Sequence, residues 1–170
     1  MASKEALECM AELYQGEIFG ELFFEGLPGE DDDPDARRVR LALIQAEAET
    51  KIRLRPAMER LGVPVAPTPE TRASVEAALA RYQGAAWPDI AAGVLAAVRD
   101  RYGPRYREIA QLVQADGDPV AIAVANHMVA HEKSLEDMLG RHIAGDPDST
   151  RPVDALLRYP MSASAPAAAA

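Results

Sequence analysis

Two histidines on one predicted helix are the residues in this sequence whose type and spacing best suit metal or acid–base chemistry. His127 and His131 are four residues apart in the stretch NHMVAHEKSLEDMLG, so an α-helix would place them on one face, one turn apart. Val124, Leu135 and Met138 continue the same stripe. Because an otherwise apolar helix face normally points into a core, both imidazoles are expected inside. They are then either hydrogen-bonded core residues, which is the commoner case, or functional groups.

Carboxylates at matching depths favour the functional interpretation. Glu17 lies about fifteen residues before the acidic turn near Asp31 and Asp32, and Glu47 lies about fifteen after it. In a hairpin of two straight helices, residues equidistant from the turn lie at the same height. We therefore expect Glu17 and Glu47 to face one another inside the protein.

A second hairpin repeats this pattern. Glu108 lies about ten residues before the turn ADGDP, and His131 lies about thirteen after it, which puts them within roughly one helical turn of the same height. The predicted site therefore contains Glu17 and Glu47 on one side, with Glu108 and His131 opposite.

Gly16 and Gly20 flank Glu17 inside the first predicted helix. Each costs about 1 kcal/mol relative to alanine, so something should offset that loss. Close approach of a second helix and room for a group beside Glu17 are both adequate explanations.

Caps, prolines and glycines predict four long helices and one short one. The first long helix is predicted from Ser3 to Leu27, and the second from near Pro34 to Gly62, with a kink or break at Pro56. A short helix from Pro69 to Tyr82, capped by Thr68, lies in a proline-rich crossover. The third long helix starts around Trp87 and kinks at Gly103 and Pro104, and the fourth runs from Pro119 to about Ile143. The expected fold is all-α, an antiparallel four-helix bundle over residues 1–145. Residues 146–170 form a C-terminal extension, and its last part, SASAPAAAA, is expected to be disordered.

Composition limits the class of protein. The chain has 170 residues, one cysteine (Cys9) and a net charge of -9, which disfavours nucleic acid and anionic lipid as partners. No segment approaches the roughly 20 apolar residues of a membrane span, and no secretory signal is evident. We expect a cytoplasmic protein with a small-molecule substrate, and a homodimer remains open.

The helix order and these acidic and imidazole side chains resemble the ferritin-like superfamily of di-iron carboxylate proteins, over roughly residues 3–143. HEKSLEDML, which begins at His131, is similar to the sequence after the second Glu-x-x of rubrerythrin-type proteins, and GEIFGE, which begins at Gly16, is similar to the first-helix ligand region of demethoxyubiquinone hydroxylases. The resemblance implies iron, as two ions, with Glu17, Glu47, Glu108 and His131 as ligands.

Two positions depart from the family pattern of Glu-x-x-His. Thr50 stands three residues after Glu47 where the family has histidine, and Met128 stands three before His131 where it has glutamate. His127, Glu21, Glu49 and Glu132 each lie within a turn of a vacant position and are candidate replacements.

Three functions follow from these residues. The first is an oxygen-activating oxidase or hydroxylase of the di-iron type that acts on a small organic substrate. The alternative is a ferritin-like scaffold with one metal or none, which binds a ligand or performs acid–base chemistry. The third is a helical interaction protein whose acids lie on its outer faces.

Overall fold

The computed structural model describes residues 2–27 and 33–160, and these residues form helices with no β-strand among them. The helices are α1 Lys4–Gly26, α2 Pro34–Leu61, α3 Pro69–Arg81, α4 Trp87–Ala97, α5 Gly103–Asp116, α6 Pro119–Ile143 and α7 Arg151–Asp154. The predicted all-α class is therefore confirmed for this part of the chain. The acidic turn at 28–32, from which the depths of Glu17 and Glu47 were counted, lies outside the described residues.

Side-chain caps fix where the helices begin. The Ser3 hydroxyl accepts a hydrogen bond from the Ala6 N–H at 3.2 Å, and the Thr68 hydroxyl accepts one from the Thr71 N–H at 3.1 Å. Asp118 accepts bonds from two N–H groups at the start of α6. Each satisfies donors that the first turn of a helix leaves unpaired, so these starts are encoded locally.

Prolines act differently in the two long helical segments. α2 continues through Pro56, so it has no break there. Between α4 and α5, however, Val98–Tyr102 forms a π-helical turn in which the Gly103 N–H donates to the Val98 carbonyl. Pro104 follows immediately, and it has no N–H to continue a regular ladder. The expected irregularity near Gly103 and Pro104 is therefore a π turn.

The core consists of two apolar clusters with the polar residues between them. α1 contacts α2, α3, α5 and α6, and α6 also contacts α2, α4 and α5. Leu13 and Met128 belong to one cluster, and Phe23 and Leu135 belong to the other. Along α2 and α6 the two clusters are separated by a few residues, and the buried polar side chains of Glu47, Thr50, His131 and Glu132 lie in those intervals.

The described part of the C-terminal extension packs on the helices. Val153 in α7 is 1% exposed and joins one apolar cluster. The Arg158 N–H donates to Glu49 at 2.7 Å, which fastens the chain beyond α7 to α2. Residues 161–170, where disorder is predicted, lie outside the described residues. Within residues 2–27 and 33–160, no helix combines the length and apolarity needed to cross a membrane.

Candidate metal centre

Glu17, Glu47 and His131 meet in the interval between the two apolar clusters. Each offers one ligand atom, and these atoms all lie within 4.8 Å of one another. Nε2 of His131 is 3.6 Å from Oε2 of Glu17 and 3.6 Å from Oε2 of Glu47. The three residues are between 1% and 4% exposed. The structure thus brings together three of the four residues that the resemblance implies as ligands.

The glycines of α1 make space for this cluster. A Cβ atom at Gly20 would lie 2.5 Å from Cδ of Glu47, so the absence of a side chain there leaves room for the Glu47 carboxylate. A Cβ at Gly16 would overlap the Tyr106 hydroxyl. Both glycines therefore admit side chains of neighbouring helices, α5 at Gly16 and α2 at Gly20, which favours close helix packing, the first of the two explanations offered by the sequence.

Thr50 supports the far side of the imidazole. Its hydroxyl oxygen is 3.2 Å from Nδ1 of His131, so it can accept a hydrogen bond from Nδ1–H. That arrangement leaves Nε2 directed at the two carboxylates. Thr50 can therefore fix the orientation of the His131 ring.

Glu132 is a further buried carboxylate beside the cluster. It follows His131 on α6 and is 8% exposed. Burial raises its pKa to about 7; His131 opposes this rise and Glu47 adds to it. Sequence reasoning named Glu132 only as a candidate replacement. In the sequence, the feature that could have indicated its inward placement is its position directly after His131.

Burial, and then the attraction between His131 and the carboxylates, dominate the electrostatics of the cluster. Burial raises the pKa of Glu17 well above its usual value, with His131 lowering it and Glu47 raising it further. Burial lowers the pKa of His131, but Glu17, Glu47 and Glu132 more than offset that effect and bring it to about 10. Without a metal, the protonated His131 ring is therefore the positive charge that offsets these buried carboxylates at neutral pH, and a bound cation would take over that role.

Unpaired polar atoms show that a cation fits this cluster. In the described part of the chain, Oε2 of Glu17, Nε2 of His131 and Oε2 of Glu132 are buried without a hydrogen-bond partner. Buried polar atoms normally have partners. Two carboxylates and one imidazole are suitable ligands for a divalent transition metal, and such an ion would satisfy the unpaired atoms of Glu17 and His131 together.

Glu108 lies outside this cluster, so its predicted inward placement is wrong. Its side chain is 61% exposed and pairs with Arg105 at 2.8 Å. Counting residues from a turn gives the height of a side chain but not its direction. Tyr106, Ile109 and Val113 form the inward stripe of α5, and at 100° per residue Glu108 falls on the opposite side.

The other ligand candidates suggested by the sequence also lie apart from the cluster of Glu17, Glu47 and His131. His127 is half-buried, and its Nε2 has no hydrogen-bond partner in the described chain. Glu21 forms an ion pair with Lys51, and Glu49 accepts hydrogen bonds from Gln45 and the Arg158 N–H. None of these three belongs to the group that can share one ion.

Two cavities flank the cluster. One, of about 590 Å³, lies between α1, α3 and the α4–α5 segment and reaches Glu17, Glu47 and Glu132. The other, of about 600 Å³, lies on the opposite side of His131, where it meets His127 and is bordered by residues 156–159. Such volumes are within the range of small-molecule sites.

Tyrosine side chains lie beside the carboxylates in the first cavity. Burial raises the pKa of Tyr106 well above its usual value, and Glu17 and Glu132 raise it further. Burial likewise raises the pKa of Tyr102. Both phenols therefore keep their protons at neutral pH and can donate hydrogen bonds within the cavity.

No protein-family model matches this chain, and no curated protein or solved structure is significantly similar to it.

Proposed function

We propose that the protein is a metal-dependent oxidoreductase that oxidises a small organic molecule with molecular oxygen, at one iron ion held by Glu17, Glu47 and His131. The observation that carries this proposal is the buried Glu–Glu–His group, whose unpaired ligand atoms lie beside a cavity of small-molecule size. The proposed scaffold is an antiparallel four-helix bundle of the ferritin-like type.

The residues favour one ion over the two that the family resemblance implies. Glu108 is on the outer surface, and Thr50 and Met128 occupy two further positions at which a di-iron site has ligands. Three ligand residues would leave coordination positions open on a single ion, as the two-histidine, one-carboxylate sites of non-haem iron oxygenases do, although this cluster has two carboxylates and one imidazole. The one-metal scaffold, rather than the di-iron centre, is thus the form that we propose.

Each residue has a distinct role in this proposal. Bound ferrous iron would supply the electrons that begin the reduction of oxygen. Glu17 and Glu47 neutralise the ion, and Thr50 orients the His131 ring. Glu132 lies beside the cavity with an unpaired oxygen, where it can accept a proton from the substrate. The Tyr106 phenol can donate a hydrogen bond and keep the bound molecule oriented.

Metal content after anaerobic loading with ferrous iron tests the proposal. We expect one ion per chain in the wild-type protein, and loss of that ion in Glu17→Gln and His131→Ala with the helical circular dichroism spectrum retained. Glu108→Gln is the matched control, since it changes a glutamate outside the cluster and should bind iron normally.

Admission of air to the loaded protein tests the oxidoreductase part. Iron-dependent oxygen consumption that increases with small organic substrates is the expected result. Two ions per chain would instead support the di-iron enzyme. Absence of bound metal would leave the cavity as a ligand-binding site without a metal centre and would refute the proposed function.

A further inference from the structure

We propose that the cavity of about 590 Å³ takes an aromatic carboxylate, with its ring against a wall of phenylalanine and tyrosine and its anionic group at Arg81 and Arg101. This assignment rests on the proposed function, because it identifies the cavity as the substrate site of the metal centre. It is carried by three features of the cavity: its aromatic lining, its unpaired arginines and the separation of its charges.

Aromatic residues are concentrated around this cavity. Aromatic residues make up only 5% of the sequence, yet all three phenylalanines and three of the five tyrosines line the cavity. The Phe23 ring is 5.8 Å from that of Phe19 and 5.8 Å from that of Tyr82, so the three form a continuous wall. Aromatic rings prefer such offset and tilted neighbours, so a flat ring in a bound molecule would extend this stack.

The two arginines at the cavity are available to an anion. Arg81 lies over the Tyr82 ring at 5.9 Å, and Arg101 lies over the Tyr102 ring at 5.3 Å. Among the described residues, neither guanidinium has a carboxylate partner within ion-pair distance, whereas Arg99 and Arg105, on the same helical segment as Arg101, do. A guanidinium held over an aromatic face presents its N–H groups in a plane that matches a carboxylate.

The charges of the cavity fix the direction in which such a molecule binds. Glu17, Glu47 and Glu132 are buried at its inner end, whereas Arg81 and Arg101 are exposed at its outer part, together with the single carboxylate of Glu70. An anionic group is repelled by the inner acids and attracted by the outer arginines. The carboxylate therefore stays outside, and the opposite end of the molecule reaches the three ligand residues.

Calorimetric titration with 2-naphthoate tests the inference, with the uncharged 2-naphthylmethanol as its counterpart. We expect 2-naphthoate to bind more tightly, both to metal-free and to iron-loaded protein. Arg81→Gln and Arg101→Gln should each weaken its binding about tenfold, the loss of roughly one charge-assisted hydrogen bond, and leave the alcohol unchanged. Arg72→Gln is the matched control, since Arg72 is an exposed arginine of α3 outside the cavity lining.

Equal binding of acid and alcohol, no binding of either, or an equal effect of Arg72→Gln would each overturn the inference. So would binding of the acid that requires iron and is insensitive to both arginines, because the carboxylate would then be a metal ligand. Because the titration is also made without metal, a failure of iron binding would refute the proposed function and still leave the arginine dependence measurable.

Discussion

Both nitrogens of the His131 ring face side chains from other helices, and Nδ1 is the one that has a hydrogen-bond partner. Thr50 of α2 lies at Nδ1, while Glu17 of α1 and Glu47 of α2 lie at Nε2. A metal-binding histidine needs its second nitrogen occupied by a hydrogen-bond acceptor, because that bond sets the tautomer and the ring orientation. Glu47 and Thr50, three residues apart on α2, therefore face the two nitrogens of the same imidazole.

Replacement of Thr50 by valine is expected to weaken metal binding by a factor of roughly 10 to 100, since it removes the acceptor and preserves the side-chain shape. Thr50→Ser keeps the hydroxyl and should bind nearly as well as the wild type. Competition with a fluorescent chelator gives both affinities. Equal affinity for all three proteins would show that Nδ1 does not need Thr50.

His127 is expected to make stability depend on pH. Burial, followed by the charge of Arg53, lowers its pKa to about 4 from an ordinary value of 6.5. The folded protein therefore binds fewer protons at this site than the unfolded chain, so stability present above pH 6.5 is lost as the pH falls towards 4. Relative to His127→Gln, the wild type should lose free energy of unfolding between pH 7.5 and pH 5, as measured by urea denaturation. A constant difference between the two proteins would contradict this prediction.

Among the helices, α1 contains two glycines, Gly16 and Gly20, which lower its helix propensity and leave room for the side chains around Glu17. Gly20 lies directly against the Glu47 carboxylate, whereas Gly140 in α6 has its nearest neighbouring atom, in Arg99, at 3.5 Å from where a Cβ would lie. Alanine improves helix propensity at either position by about 1 kcal/mol. Only the methyl group at Gly20 would displace the Glu47 carboxylate, so only that substitution is expected to disturb the cluster.

Gly20→Ala and Gly140→Ala therefore form a matched pair. Gly140→Ala is expected to raise the free energy of unfolding by about 1 kcal/mol and leave iron binding unchanged. Gly20→Ala should lose most of the iron affinity while remaining folded, since the flexible end of Glu47 can move aside. Thermal unfolding and iron titration provide the two readouts, and normal iron binding by Gly20→Ala would contradict the role assigned to it.

The starts of the helices could be predicted from capping residues, whereas the direction in which a side chain points could be predicted less well. Ser3 and Thr68 act within one turn of their own helices, so their caps could be read from sequence. Glu108 could not be placed by counting from a turn, because height along a helix says nothing about which side faces inward. The π turn before Gly103 changes the register of the third helical segment, and no periodicity in the sequence indicates an extra residue.

At the scale of the whole molecule, the cavities depend on contacts between distant segments. Tyr82 follows the crossover helix α3 and meets Phe23 of α1, and Arg101 reaches the same cavity from the π turn. Hydrophobic periodicity reports the face of a single helix, so it could not predict a wall assembled from three elements. The inward placement of Glu17, Glu47 and His131 was predictable because each lies at a similar height and also within the apolar stripe of a long helix.

The C-terminal extension is expected to contribute to global stability through Val153. This side chain is buried in the same cluster as Leu139, although α7 is only four residues long. Val153→Ala should lower the free energy of unfolding by about 2 kcal/mol, because it leaves a cavity in that cluster. Leu156→Ala, at a position that is 37% exposed, is the control and should cost less. A negligible effect of Val153→Ala in urea denaturation would mean that residues 146–160 do not belong to the cooperative unit.

The position and number of bound iron ions are the most direct test of the single-metal centre. Crystals grown from protein loaded anaerobically with ferrous iron, and measured with X-rays at the iron absorption edge, would locate each ion without reference to activity. We expect one anomalous peak per chain, about 2 Å from Nε2 of His131 and from oxygens of Glu17 and Glu47. Two peaks at this position, or a peak at His127 with none among these three residues, would contradict the single-metal centre.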